Sequence, residues 1–191
     1  SGRFAARVEP KIIQLEQNRV DLIFEIEEGD TTKVERVNFI GNEKFSNSKL
    51  RSVIRTEESR WWKFLTSDDV YDPDRLAFDR ELLRKFYLSE GYADFRVVSA
   101  VAELVPDRSA FVITFTIEEG DRYRFGTLDA TSQLPDLSAD QVRPLITIKP
   151  DNWYNATEVE QTVEKLTEEI GKFGYAFVDV RPRVQRRRDE K

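Results

Sequence analysis

The sequence predicts an α+β fold built from tandem β-α-α-β-β units. Three observations carry that prediction. An octet nearly recurs, IFEIEEGD from Ile23 and TFTIEEGD from Thr114, 114 − 23 = 91 residues apart. A second pair, GYADFRV from Gly91 and GYAFVDV from Gly174, is offset by 174 − 91 = 83 residues, with a weaker cousin, GRFAARV, from Gly2. Between these landmarks the apolar spacing switches from the period of a strand to that of a helix and back.

The first strand of the middle unit is TKVERVNFIG, with Val34, Val37 and Phe39 as its apolar positions and Gly41-Asn42 as its turn. A short helix follows, with Ser46 as N-cap and Leu50, Val53 and Ile54 on one face. The matching stretch LSADQVRPLI, offset by 137 − 45 = 92 residues, places Ser138 and Gln141 at capping-box spacing. The change of offset from 92 to 83 locates an insertion of about nine residues in the middle copy, within RTEESRWWKFLTSDD.

A longer helix comes next. Asp72 caps it, Pro73 occupies its first position, and Asp74 faces the positive end of its dipole. Asn155 and Glu158 do the same in the third copy, where Trp153 and Tyr154 precede the helix at the place of a hydrophobic staple. Leu76, Leu83 and Tyr87 line one face, widened by Leu82 and Phe86, and match Val159, Leu166 and Ile170. Gly91 and Gly174 stop the two helices as C′ glycines. Two strands close the unit: FRVVSAVAEL, then a turn at Pro106-Asp107, then Phe111, Ile113, Phe115 and Ile117 in strict alternation. The recurrent octet is thus the end of one unit's last strand plus the junction to the next.

These phases divide the chain into a closing hairpin at 1–29, a complete unit at 30–120, and a unit at 121–191 whose last strand is expected near position 174 + 29 = 203. The chain reads as an excised soluble piece, with no signal peptide at Ser1 and no apolar run of membrane-spanning length.

Composition narrows the function. The net charge of −6 argues against binding a nucleic-acid backbone. The absence of Cys and His removes disulfides, thiol chemistry, and the commonest general base and metal ligand. No cofactor or metal site and no catalytic residue is expected.

The ordered recurrence of GYA and EEGD, with FYLSEGYADFRV, TIEEGDRYRFG, WYNATEVE and the WWKF insertion, resembles POTRA (polypeptide-transport-associated) domains, above all those of outer-membrane β-barrel assembly factors. The likeness runs over the whole chain, from the end of a second such domain through a third and most of a fourth. It implies a three-stranded mixed sheet per unit, its third strand central, with two helices on one face. It implies a periplasmic scaffold that is not an enzyme, and that binds unfolded outer-membrane proteins and assembly-machine lipoproteins. Contact with the membrane would come only through a C-terminal barrel outside this sequence.

The resemblance places partner binding on the edge strand, Phe95 to Glu103, with Phe95, Val97, Val98, Ser99 and Val101 as candidate residues for β-augmentation. Few charges guard that edge. Trp61, Trp62 and Phe64 form a second candidate, an aromatic contact patch in the insertion; the plainer reading makes them a lid over a small core. Gly29-Asp30 and Gly120-Asp121 are the expected inter-unit hinges. The acidic pairs Glu27-Glu28 and Glu118-Glu119 read as junction residues, because adjacent strand residues point to opposite faces. Two alternatives keep their discriminators: a POTRA arm of a two-partner secretion or related translocation pore, decided by the neighbouring barrel, and a carboxylate-pair hydrolase, decided by a concave apolar site holding two acids. The orphan hairpin is expected either to pack on the middle unit or to pair with another copy by strand exchange.

Overall fold

The computed structural model describes residues 7–15, 19–27, 32–58, 72–106, 110–175 and 178–187. Its strands are β1 (Arg7–Leu15), β2 (Arg19–Glu27), β3 (Lys33–Ile40), β4 (Arg96–Leu104) and β5 (Ala110–Glu118). Its helices are α1 (Asn47–Val53), α2 (Pro73–Ser89), α3 (Ala139–Val142), continued by a 3-10 turn at Arg143–Leu145, and α4 (Ala156–Lys172).

The middle repeat has the predicted order, β3-α1-α2-β4-β5, folded as a mixed sheet of order β3-β5-β4. The last strand in sequence is therefore central, and it pairs parallel with β3. Its alternation is strict: Phe111, Ile113, Phe115 and Ile117 are buried, and Phe115 stacks on Phe39 at 5.6 Å. In β3 the apolar positions Val34 and Val37 lie three apart, which no regular strand can place on one face. A register shift between Val34 and Arg36 resolves this, and both valines are buried. Leu50 and Ile54 from the α1 segment and Leu83 from α2 complete the buried set.

The caps work as the sequence predicts. Ser46 accepts from Lys49 N–H at 3.2 Å, Asp72 from Asp74 N–H at 2.9 Å, and Asn155 from Thr157 N–H and Glu158 N–H. Gln141 reaches back to Ser138 N–H at 2.8 Å. Gly91 and Gly174 adopt φ of 100° and 93°, the left-handed backbone a C′ residue needs.

β1 and β2 form an antiparallel hairpin with one apolar face. Val8, Ile12, Val20, Leu22, Phe24 and Ile26 share it by register, and all six are exposed. Every residue of β2 is exposed, so among the described residues this hairpin shows no packing on the middle repeat, the first of the two arrangements expected for it. The middle sheet already fills its core from its own helices.

By contacts the chain divides into two units, one of residues 1–83 with 97–118 and one of 84–96 with 119–191. In the second unit Leu137, Val142, Leu166 and Ile170 form a small core, with Val178 and Val180 packed against it. Its expected strands are not formed: the described residues from 119 onward show only one isolated bridge, Arg124 to Trp153.

Candidate partner-binding edge and inter-repeat junction

β4 ends the sheet order, with β5 on one side and no described strand on the other. The side chains along it are of mixed burial. Val98 is 51% and Val101 47% exposed, whereas Val97 and Ser99 are half-buried. Phe95 departs from the expected edge set. It lies just before β4, is buried, and stacks on Tyr87 at 4.0 Å with the rings 7° from parallel. Its aromatic surface faces Tyr87 and is not offered to a partner strand. Trp61, Trp62, Phe64, Gly29 and Asp30 lie outside the described residues.

The junction at Gly120-Asp121 is held by polar contacts to the end of α2 and the turn after it. Tyr87 Oη donates to Glu119 Oε1 at 2.7 Å, and Tyr123 Oη donates to Asp94 Oδ2 at 2.7 Å. Arg122 Nε donates to the carbonyl of Glu90 at 2.8 Å, and Tyr123 N–H to that of Gly91 at 2.9 Å. Gly120 has φ of 70°, and a Cβ there would sit 2.9 Å from that of Asp94, so the junction closes against the turn only with glycine. Glu119 is buried and Glu118 exposed, as strand alternation requires. Burial, then the hydrogen bond and negative charge of Glu119, push the Tyr87 phenol far above its ordinary range.

Sequence reasoning missed Asp79. It is fully buried in α2, and its carboxylate accepts from the N–H groups of Arg55 and Thr56 at 2.7 and 3.1 Å. By the 83-residue offset its counterpart is Thr162, also buried, which bonds within its own helix. The signal was an acid one turn before Leu83 on the predicted apolar face. Its partners are backbone groups that begin the insertion, and these leave no trace in a residue pattern.

The second unit contains a cavity of about 1000 Å³, lined by Leu128, Leu137, Leu166, Ile170, Val178 and Val180 among others. Two carboxylates border it. Asp129 is held by Arg143 at 2.8 Å, which with the Ala130 N–H keeps its carboxyl below the usual range. Asp179 pairs with Arg181. Both carboxylates are ion-paired to arginine and well exposed, at 64% and 65%, so they stand on the rim of the apolar lining. Trp153 does not act as a staple: it is 41% exposed, and the guanidinium groups of Arg122 and Arg124 lie over its ring, 4.3 and 3.9 Å from the ring centre. Tyr154 takes the inward place, against Phe125 at 5.4 Å.

No described helix is long and apolar enough to cross a membrane. The sequence is 28% identical over 179 residues to the outer membrane protein assembly factor BamA of Neisseria meningitidis, covering 94% of this chain and 22% of that protein. It is 32% identical over 157 residues to a putative outer membrane protein assembly factor of Treponema pallidum, covering 80% of this chain and 18% of the relative. The chain thus spans about a fifth of the length of these curated relatives. In fold it is similar to the crystal structure of the third to fifth POTRA domains of Haemophilus influenzae BamA. That match has a TM-score of 0.62 at 16% identity and covers 100% of this chain and 70% of the other. The POTRA family, described as surface antigen variable number repeat, matches residues 32–120 and 126–191, and the chain belongs to that family.

Proposed function

We propose that the chain is part of the periplasmic arm of an outer-membrane protein assembly factor. Its middle repeat receives extended strands along β4, from unfolded outer-membrane proteins or from assembly-machine lipoproteins. The observation that carries this reading is the place of β4 at the end of the sheet order, with Val98 and Val101 exposed along it. An incoming strand gains backbone hydrogen bonds, which carry little sequence preference, and apolar contact with the two valines. That combination suits a receptor for many clients. The names of the assembly-factor relatives supply the setting. The reaction is one of binding and alignment, with no bond made or broken.

The test is a titration of the isotope-labelled chain with peptides from unfolded outer-membrane β-strands, read by backbone amide shifts. Shifts are expected along Arg96–Leu104, and proline at Val98 or Ala100 is expected to weaken them where the lost N–H faces the open side. Shifts confined to Trp61, Trp62 and Phe64 would move the client site to the insertion. No shift at millimolar peptide would remove client binding from this repeat.

A further inference from the structure

The sheet has two ends, and the order β3-β5-β4 leaves β3 terminal as well as β4. We propose that Arg51 and Glu58 close the β3 end to incoming strands, so that the middle repeat takes a partner strand at β4 alone. The proposal deepens the strand-receptor reading and rests on it.

The geometry is that of a substitute strand. Val37 N–H donates to Glu58 Oε1 at 3.0 Å, and Val37 C=O accepts from Arg51 Nε and Nη2 at 3.2 and 3.1 Å. In a strand the N–H and C=O of one residue point to the same side, and a neighbouring strand engages both at once. Here one side chain supplies the acceptor and another the donor. Arg51 Nε also lies 3.0 Å from Glu58 Oε1, so each holds the other in place. The two side chains are 35% and 22% exposed, which shields the pair from full solvation. A strand arriving at β3 must first break three hydrogen bonds and an ion pair at Val37. It also meets the bulge between Val34 and Arg36, a second device that spoils an edge.

The clamp is built from both ends. Arg51 stands on α1. Glu58 follows Arg55 and Thr56, whose N–H groups are held by the buried Asp79 carboxylate. The third repeat provides an internal control. Arg143 is the counterpart of Arg51 at the 92-residue offset, but it bonds Asp129 and Asp140, and Glu58 falls where the insertion begins. The clamp therefore belongs to the repeat that carries the insertion, the same repeat that offers the β4 edge.

The chain contains no Cys, so disulfide trapping is free of background. A peptide with the alternating pattern of an outer-membrane strand and one central cysteine is offered to the full chain carrying either Glu35→Cys on β3 or Val98→Cys on β4. Trapping is expected at Val98→Cys and not at Glu35→Cys. Adding Glu58→Ala is expected to raise trapping at Glu35→Cys severalfold. Glu58→Gln, whose amide oxygen still accepts from Val37 N–H, is expected to leave it low. Unchanged trapping at Glu35→Cys in the Ala variant, with Val98→Cys still trapped, overturns the proposal. Should no position trap in any variant, the strand-receptor reading fails, and the clamp is judged separately by amide exchange at Val37. That exchange should quicken about tenfold in Glu58→Ala, the worth of roughly one net hydrogen bond; equal rates overturn the clamp. If Glu58→Ala does not fold, Arg51→Lys, which keeps the charge but loses the forked donors, carries the same comparison.

Discussion

In the middle repeat β5 lies between β3 and β4, and Val34, Val37 and Phe39 of β3 and Phe111, Ile113, Phe115 and Ile117 of β5 are buried. In the third repeat the corresponding segments, Tyr123 to Ala130 and Val178 to Val184, form no ladder, and a cavity of about 1000 Å³ opens beside them. The two repeats share their helices almost position for position. Leu50 and Val142, Leu83 and Leu166, and Tyr87 and Ile170 are buried in both. The difference teaches that the helices of this repeat bury their apolar faces with or without a ladder beside them, whereas the ladder of the middle repeat is built on β5. Each outer strand needs the backbone partner that the central strand provides. The ordered edge at β4 is thus held through its pairing with β5.

The comparison breaks most visibly at its matched leucines. Leu83→Ala empties a closed core and is expected to cost about 3–5 kcal/mol. Leu166→Ala borders an existing hollow and is expected to cost only about 1–2 kcal/mol, because fewer contacts are lost. Thermal or denaturant unfolding of the two variants measures the gap, and equal losses would mean that the two cores are equally closed.

Asp79→Ala is the next largest. It strips the buried N–H of Thr56 and the part-buried N–H of Arg55 of their acceptor and is expected to cost about 2–3 kcal/mol by denaturant unfolding. Asp79→Thr, which copies the third repeat, is expected to recover little of that loss. The side chain of Thr162 bonds back to its own helix at Glu158 C=O and supplies no acceptor to an outside segment.

Tyr87→Phe leaves the buried Glu119 without its phenol donor and is expected to cost about 1–2 kcal/mol at neutral pH. The pH dependence follows from linkage. The Tyr87 phenol is raised above its usual value of 10.0, so the folded chain holds that proton more tightly than the unfolded chain does. The stability this contributes is fully present below about pH 10 and is lost as pH climbs further. Unfolding curves should therefore fall more steeply above pH 10 in the parent than in Tyr87→Phe. Parallel alkaline limbs would place the phenol in solvent. The smallest effect is at Trp153. Its ring contacts two exposed arginines, and Trp153→Ala is expected to cost less than about 1 kcal/mol by thermal unfolding.

Much of this was legible in the sequence, because it rests on periodicity and punctuation. The octet pair marked the end of β5, the GYA pair marked the end of each long helix, and the offset change located the insertion. What escaped were bonds from side chain to backbone. Asp79 holding Arg55 and Thr56, Arg51 and Glu58 bracketing Val37, and Arg122 reaching Glu90 C=O all use a partner that every residue carries. No residue type announces such a bond. The burial of Phe95 escaped for another reason: the residue after a GYAD turn is one place short of the strand, and its ring follows the turn into the core. Trp153 was misplaced because the staple position is defined by apolar packing, whereas Arg122 and Arg124 offered its ring two cations.

The measurement that bears most directly on the whole account is residue-resolved amide exchange of the full chain, alone and with a saturating unfolded outer-membrane strand peptide. Alone, the amides of β5 should be the slowest, and those of residues 123–130 and 178–187 among the fastest. With peptide, new protection should appear along β4 and be absent from 178–187. Protection gained along 178–187, with β4 unchanged, would mean that the third repeat receives the strand and that the middle sheet does not.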